Sequence, residues 1–290
     1  MKYLIKHTTC YNYLEMVSLC RNIIHVSPRE FENQRNLYEN ITVIPVPDIM
    51  ESQKDYFGNK VYFFTTEKPH KSLTITAEYE TEVIEKKYKN FSDIPWEDVI
   101  EILNTDSSSE TIHSFEYLYD SYYVQKHDDW KDYASKSFKP GALFLASVMD
   151  LTSRIFKDFK YQPNATTIAT PLREVFLQKS GVCQDFSHFQ IACLRSIGIP
   201  VRYVSGYLLT TPNKEKPNMI GSDASHAWIQ VYYPGIGWFD FDPTNNLRPT
   251  DHHIIIAWGR DYEDVSPVKG VILGGENHTI TVGVNVIKAE

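Results

Sequence analysis

The chain has 290 residues, 42% of them hydrophobic and 23% charged, and a formal net charge of -8 at pH 7. That size and balance suit one large or two modest globular domains with buried cores. They argue against a general binder of nucleic acid or anionic membrane, which relies on clustered Lys and Arg.

The longest apolar stretch, 142–149, is far too short to cross a bilayer, and Lys6 and His7 interrupt the first apolar run. A cytoplasmic protein without a signal peptide is therefore expected. Four cysteines, at 10, 20, 183 and 193, are too few for a disulfide scaffold, so free thiols are expected. Cys183 and Cys193 on one helix would lie roughly 15 Å apart, beyond disulfide reach.

In chain order, "KYLIKHTTCYNY", "NKVYFFTT" and "SLTITAEYETEVIE" read as strands, with Leu73, Ile75 and Ala77 on one face and turn chemistry between them. Residues 1–90 are expected to form a small β-sandwich-like domain. From about 95 the texture is helical: "PWEDVIEILN", "SSSETIHSFEYLYDSYY", "PGALFLASVMDLTSRIFKDF" and "TPLREVFLQKS" each open near Ser, Thr or Pro. A further helix starts at Cys183 and carries Phe186, Phe189, Cys193, Leu194 and Ile197 as an apolar stripe, and Gly198 with Pro200 stops it. Strands follow in "VRYVSGYLL", "HAWIQVYY", "WFDFD" and "HTITVGVNVI". Helices followed by antiparallel strands make residues 91–290 an α+β unit, with the cysteine helix packed on a sheet.

Cys183 occupies the first turn of its helix, where unpaired backbone N–H groups favour a thiolate and can hold a developing oxyanion. Gly181 would let a substrate approach the sulfur, while Asp185 works mildly against a depressed thiol pKa. The plainer alternative is a small buried hydrophobe. His188 is five residues on, turned roughly 140° away, and is expected to be a surface or packing residue. His226 lies on the strand face opposite Ala227, Ile229 and Val231. Asp240 and Asp242 share a face of the next strand, and either could orient an imidazole. If "PGIG" turns with a three-residue loop, Trp228 pairs with Asp242 and His226 sits diagonally within reach of it; a four-residue loop would separate them. Such a set would use the thiol–imidazole–carboxylate logic.

The segments "GVCQDFSHFQIACLRSIGIPVRYVSGYL", "DASHAW" and "GWFDFDPTNN" resemble the transglutaminase-like superfamily of papain-fold cysteine enzymes, especially its bacterial branch. "HTTCYNY", "SPRE", "DYFGN", "KSLTITAEYE", "FKYQPNATTIATPLREVFLQKSGVCQDF" and "GRDYEDVSPVKG" extend the resemblance over nearly the whole chain. It implies a papain-like catalytic core at about 157–250 behind an N-terminal transglutaminase-associated β domain. It also implies that Cys183 is the nucleophile, His226 the general base and acid, and Asp242 the orienting carboxylate, leaving Asp240 structural. Crosslinking members of the superfamily use an upstream tryptophan at the oxyanion. This chain has none between 131 and 227, and Tyr161 is the candidate for an oxyanion or substrate contact.

The implied reaction is acyl transfer at an amide bond of a peptide or protein through a thioester, without a cofactor. Peptidase or amidohydrolase action is expected ahead of transglutamination, since no second-substrate site is evident. The rivals are an acyltransferase and a protein-binding module with a vestigial triad. No metal is expected: Cys183, His188 and Cys193 lack zinc-ligand spacing and "DHH" at 251–253 reads as isolated. Arg260 and Asp261 read as a loop salt bridge.

Overall fold

The structure is a computed structural model that describes residues 1–86, 91–209 and 225–289. The expected domain boundary falls beside 87–90, and Asp223 and Ala224 of "DASHAW" fall in 210–224; both segments lie outside the described residues.

The first strand, β1 (Lys2–Ile24), is far longer than its first alternating run suggests, and a register irregularity between Asn12 and Val17 divides it. β2 (Gln34–Ile44), β3 (Ile49–Lys54), β4 (Lys60–Thr66) and β5 (His70–Val83) complete the N-terminal set. The first half of β1 pairs with β5, which pairs with β2; the second half pairs with β4, which pairs with β3. Buried residues alternate along β5, including Leu73, Ile75 and Ala77, as a strand with one face in a core requires.

Helices follow: α1 (Trp96–Thr105), α2 (Ser109–Ser114), α3 (Asp128–Ser135) and α4 (Phe144–Asp158). The run expected to be one helix from 107 to 123 stops at Ser114 and continues only as a short 3-10 turn, Phe115–Leu118. The helix α3 was not expected from the sequence; His127 caps it by accepting from the Asp129 N–H, with Asp128 and Asp129 in its first turn.

β6 (Lys160–Tyr161), α5 (Leu172–Gln178) and β7 (Ser180–Gly181) lead into α6 (Cys183–Ser196). The sheet behind α6 is built from β8 (Val201–Leu208), β9 (Ser225–Tyr233), β10 (Gly237–Phe241) and β11 (His253–Gly259), in the order β10-β9-β8-β11. α6 is not amphipathic: every residue from Asp185 to Arg195 is buried, because α3, α4 and α5 cover the side away from β8 and β9. The chain ends with α7 (Tyr262–Val265), β12 (Val268–Gly274) and β13 (His278–Lys288).

The last two strands change the expected organisation. "HTITVGVNVI" was read with the strands that follow the cysteine helix, yet β13 pairs with the first half of β1 and β12 with the second. The seven-stranded N-terminal sheet therefore contains both ends of the described chain, as two four-stranded halves sharing β1.

The strand face opposite Ala227, Ile229 and Val231 is also covered. Trp228 forms a second apolar cluster with Val204 and Ile255, packed against Phe31 and Trp258. Arg29 and Arg202 each place a guanidinium 3.6 Å from the centroid of the Trp258 ring. His7 of β1 reaches Tyr207 of β8. The N-terminal sheet and the α+β core are thus packed together through polar as well as apolar groups.

Candidate active site

Cys183 is half-buried at the first position of α6. Asp185 does not face the sulfur as a bare charge. Its Oδ2 accepts from the Val182 N–H at 2.8 Å and from the Thr166 hydroxyl at 2.6 Å, pinning the helix start to the preceding loop. Gly181 also has a packing role: a Cβ there would lie 2.6 Å from Asp185 Oδ2, so glycine makes room for the carboxylate.

His226 enters from the start of β9. The hairpin to β10 has the three-residue loop, with Gly235 at φ 72° and Tyr233 paired to Gly237, and the register runs on through Ile229 opposite Phe241. One further step would set Trp228 opposite Asp242. His226 Nε2 then lies 2.7 Å from Asp242 Oδ2. With Nε2 committed to the carboxylate, Nδ1 is left for the sulfur. Burial alone would push the His226 pKa down, but Asp242 and Cys183 outweigh it and push it up to about 10.

Asp242 is fully buried and heavily solvated by protein donors. Its Oδ1 accepts from the backbone N–H groups of Thr244 (2.9 Å) and Asn245 (3.1 Å), made available by the turn after Pro243. Oδ2 takes His226, the Asn245 side-chain amide at 2.7 Å and His253 Nε2 at 3.3 Å. Burial opposes ionisation, yet these donors hold the carboxyl below the usual carboxylate range. Asp240 is the structural partner of the pair: its Oδ1 accepts from Trp228 Nε1 at 3.0 Å and Gln230 Nε2 at 2.6 Å.

Two of these neighbours escaped sequence reasoning. Asn245 was visible only as part of "DPTNN". His253 belongs to the "DHH" read as isolated; β11 carries it to Asp242. Tyr203 of β8 was missed as well, one tyrosine among 19. It is buried, with its ring centroid 5.0 Å from that of His188, and burial pushes its hydroxyl pKa well up.

His226, Asp242 and His253 could in principle gather a metal, their ligand atoms lying within 4.8 Å of one another. Two ligands at zinc bond lengths in a tetrahedron stand roughly 3.3 Å apart. The 2.7 Å between His226 and Asp242 is instead hydrogen-bond geometry.

The other expectations fare unevenly. Tyr161 lies opposite Gly181 in the parallel β6–β7 pair, half-exposed, with its ring edge-on to Phe186. Of the two alternatives for His188, surface or packing, the structure has packing: it is buried, stacks on Tyr123 and accepts from the Tyr262 N–H at 3.2 Å. Burial, then the Arg195 charge, push its pKa down to about 3. Arg260 pairs with Asp264, not Asp261; the buried Asp261 accepts from the Tyr123 and Glu263 N–H groups. All four cysteines are free thiols. No described helix is long and apolar enough to cross a membrane.

The comparisons agree with this architecture. Residues 131–243 match the model of the transglutaminase-like superfamily, and residues 3–82 match the bacterial transglutaminase-like N-terminal region. An uncharacterized protein of Mycobacterium tuberculosis is 35% identical over 298 residues, covering all of this chain and 93% of that protein. An uncharacterized protein of Mycobacterium leprae is 30% identical over 275 residues, covering 93% and 92%. A crystal structure from Cytophaga hutchinsonii, provisionally described as a cysteine protease, superposes with a TM-score of 0.76 at 23% identity, covering all of this chain and 92% of that one. A protein-glutamine gamma-glutamyltransferase of Pseudomonas aeruginosa is 28% identical over 107 residues, 34% of this chain and 16% of that protein. The chain belongs to the transglutaminase-like superfamily, with its mixed α+β fold and N-terminal β domain.

Proposed function

We propose that the protein is a cysteine peptidase or amidohydrolase that cleaves amide bonds of a peptide or protein through a thioester on Cys183. The observation that carries this reading is the buried His226 imidazole held 2.7 Å from the fully buried Asp242 carboxylate, with the half-buried Cys183 at the start of α6 among the groups that push the His226 pKa up. His226 takes the thiol proton as sulfur attacks the carbonyl carbon. The α6 N-terminus, together with Tyr161 as the proposed side-chain contact, holds the oxyanion. As the C–N bond breaks, His226 returns the proton to the departing amine. Water then attacks the thioester, His226 takes its proton, and the acid leaves as the thiol is restored.

An amine in place of water would give transglutamination, and the similarity to the Pseudomonas aeruginosa gamma-glutamyltransferase supports that second outcome. The test is iodoacetamide alkylation of Cys183 from pH 4 to 10, read by mass spectrometry, in wild type and His226→Ala. A reactive limb well below the thiol reference of about 8.5 that disappears in the variant supports an assembled pair. Identical profiles near the reference favour a binding module. With turnover in hand, added methylamine separates hydrolysis from transfer by the mass of the product.

A further inference from the structure

His253 stands on the edge strand of the core sheet, and that edge is closed in an unusual way. The Gln34 side chain donates to the Ile255 C=O at 2.7 Å and accepts from the Ile255 N–H at 2.8 Å. The Asn59 side chain does the same to Trp258, at 2.9 and 3.0 Å. Two amide side chains of the N-terminal sheet domain thus occupy backbone positions that an additional strand would pair. Outward-facing backbone groups on a regular strand are separated by even numbers of residues, whereas Ile255 and Trp258 are three apart. The bulge between Ile255 and Ala257 in the pairing with β8 supplies the odd step.

The same strand fixes His253. Its ring packs edge-on to Trp228 with centroids 5.1 Å apart, and its Nε2 reaches Asp242 Oδ2. The Nδ1 is buried without a hydrogen-bond partner among the described residues. A proton there would be stranded, so the ring's proton belongs on Nε2, where Asp242 accepts it. The titratable groups facing Asp242 are His226 from β9 and His253 from β11; Asp240 turns to Trp228 and Gln230.

Resting on the proposed function, we propose that His253 is a positioning residue that holds Asp242 in line with His226, and that the N-terminal β domain sets its place by clamping β11 through Gln34. The β domain is then part of the reaction apparatus rather than a separable recruiting module. The experiment compares Cys183 alkylation at pH 6 and pH 10 in wild type, His226→Ala, His253→Phe, His253→Gln and Gln34→Leu. At pH 10 the thiol ionises without help, so rates there report access and folding alone. His253→Phe should lower the pH 6 rate at least fivefold while leaving pH 10 within twofold, and His253→Gln, which retains a donor, should recover most of the loss. Gln34→Leu should follow His253→Phe. If His253→Phe does not fold, His253→Ala carries the same comparison.

An unchanged pH 6 rate in His253→Phe, with His226→Ala still impaired, overturns the inference and leaves the proposed function standing. Equal losses in Phe and Gln variants also overturn it, since packing rather than donation would then matter. An unchanged Gln34→Leu overturns the role of the β domain. A wild type unreactive at pH 6 removes both the inference and the reading beneath it.

Discussion

Asp242 is the most constrained side chain of the candidate site, because two carboxylate oxygens serve five donors from four residues. An amide of the same shape has one accepting oxygen and introduces two N–H donors into that crowd. Asp242→Asn should therefore leave the fold recognisable but turn the imidazole to the wrong tautomer, lowering amide cleavage by on the order of 10²–10⁴. Steady-state rates on a responsive peptide check this, with KM expected to change far less than kcat. The positions proposed as a triad could be picked out because their residue types sit at element boundaries: a cysteine opening a helix, a histidine opening a strand, an aspartate before Pro243. His253 was not legible, because its relation to Asp242 depends on strand order across the sheet and not on spacing along the chain.

At the scale of the element, Gly206 shows how tightly the sheet is built. It pairs with His226, and a Cβ there would lie 2.3 Å from the Ile254 C=O and 2.4 Å from the Trp228 ring. Neither backbone nor a buried indole can yield cheaply. Gly206→Ala should destabilise the protein by about 1–3 kcal/mol or more and disturb His226, seen as a lower urea midpoint and slower alkylation of Cys183 at pH 6. The C-terminal end of α6 could be read from Gly198 and Pro200, since helix termination is local chemistry. Its burial on all sides could not, because Ser187, His188, Gln190 and Arg195 look like a solvated face until their partners are known. Arg195, for example, donates to the C=O groups of Tyr119, Val201 and Arg260. The three-residue hairpin was one of two stated options; the structure has the one that brings His226 and Asp242 together.

Across the whole molecule, buried histidines of opposite behaviour shape the pH dependence of stability. Burial holds the His7 pKa down at about 4, and burial with the Arg195 charge holds His188 at about 3. Both contributions are present above the ordinary value near 6.5 and are lost as pH falls, because the unfolded chain takes up protons that the native state refuses. Two such groups give a slope of roughly 2–3 kcal/mol per pH unit between about pH 6 and 4. His226, raised to about 10, acts in the other sense: its contribution is full below 6.5 and is lost as pH rises through 10. Urea unfolding across pH 4–10 should therefore show maximal stability near pH 6–7, and His226→Ala should flatten the alkaline limb alone. The α+β pattern was visible in the order of helices and strands. The return of β12 and β13 to the first sheet was not, since alternation marks a strand without naming its neighbour.

That return has a consequence for synthesis. A ribosome releases β1 long before residues 268–288, so one flank of a 23-residue strand stays open while the cysteine helix and its sheet are already being made. Nascent chains held short of residue 268 should be sticky and sensitive to protease, and the sheet can close only once residues 268–288 have been made.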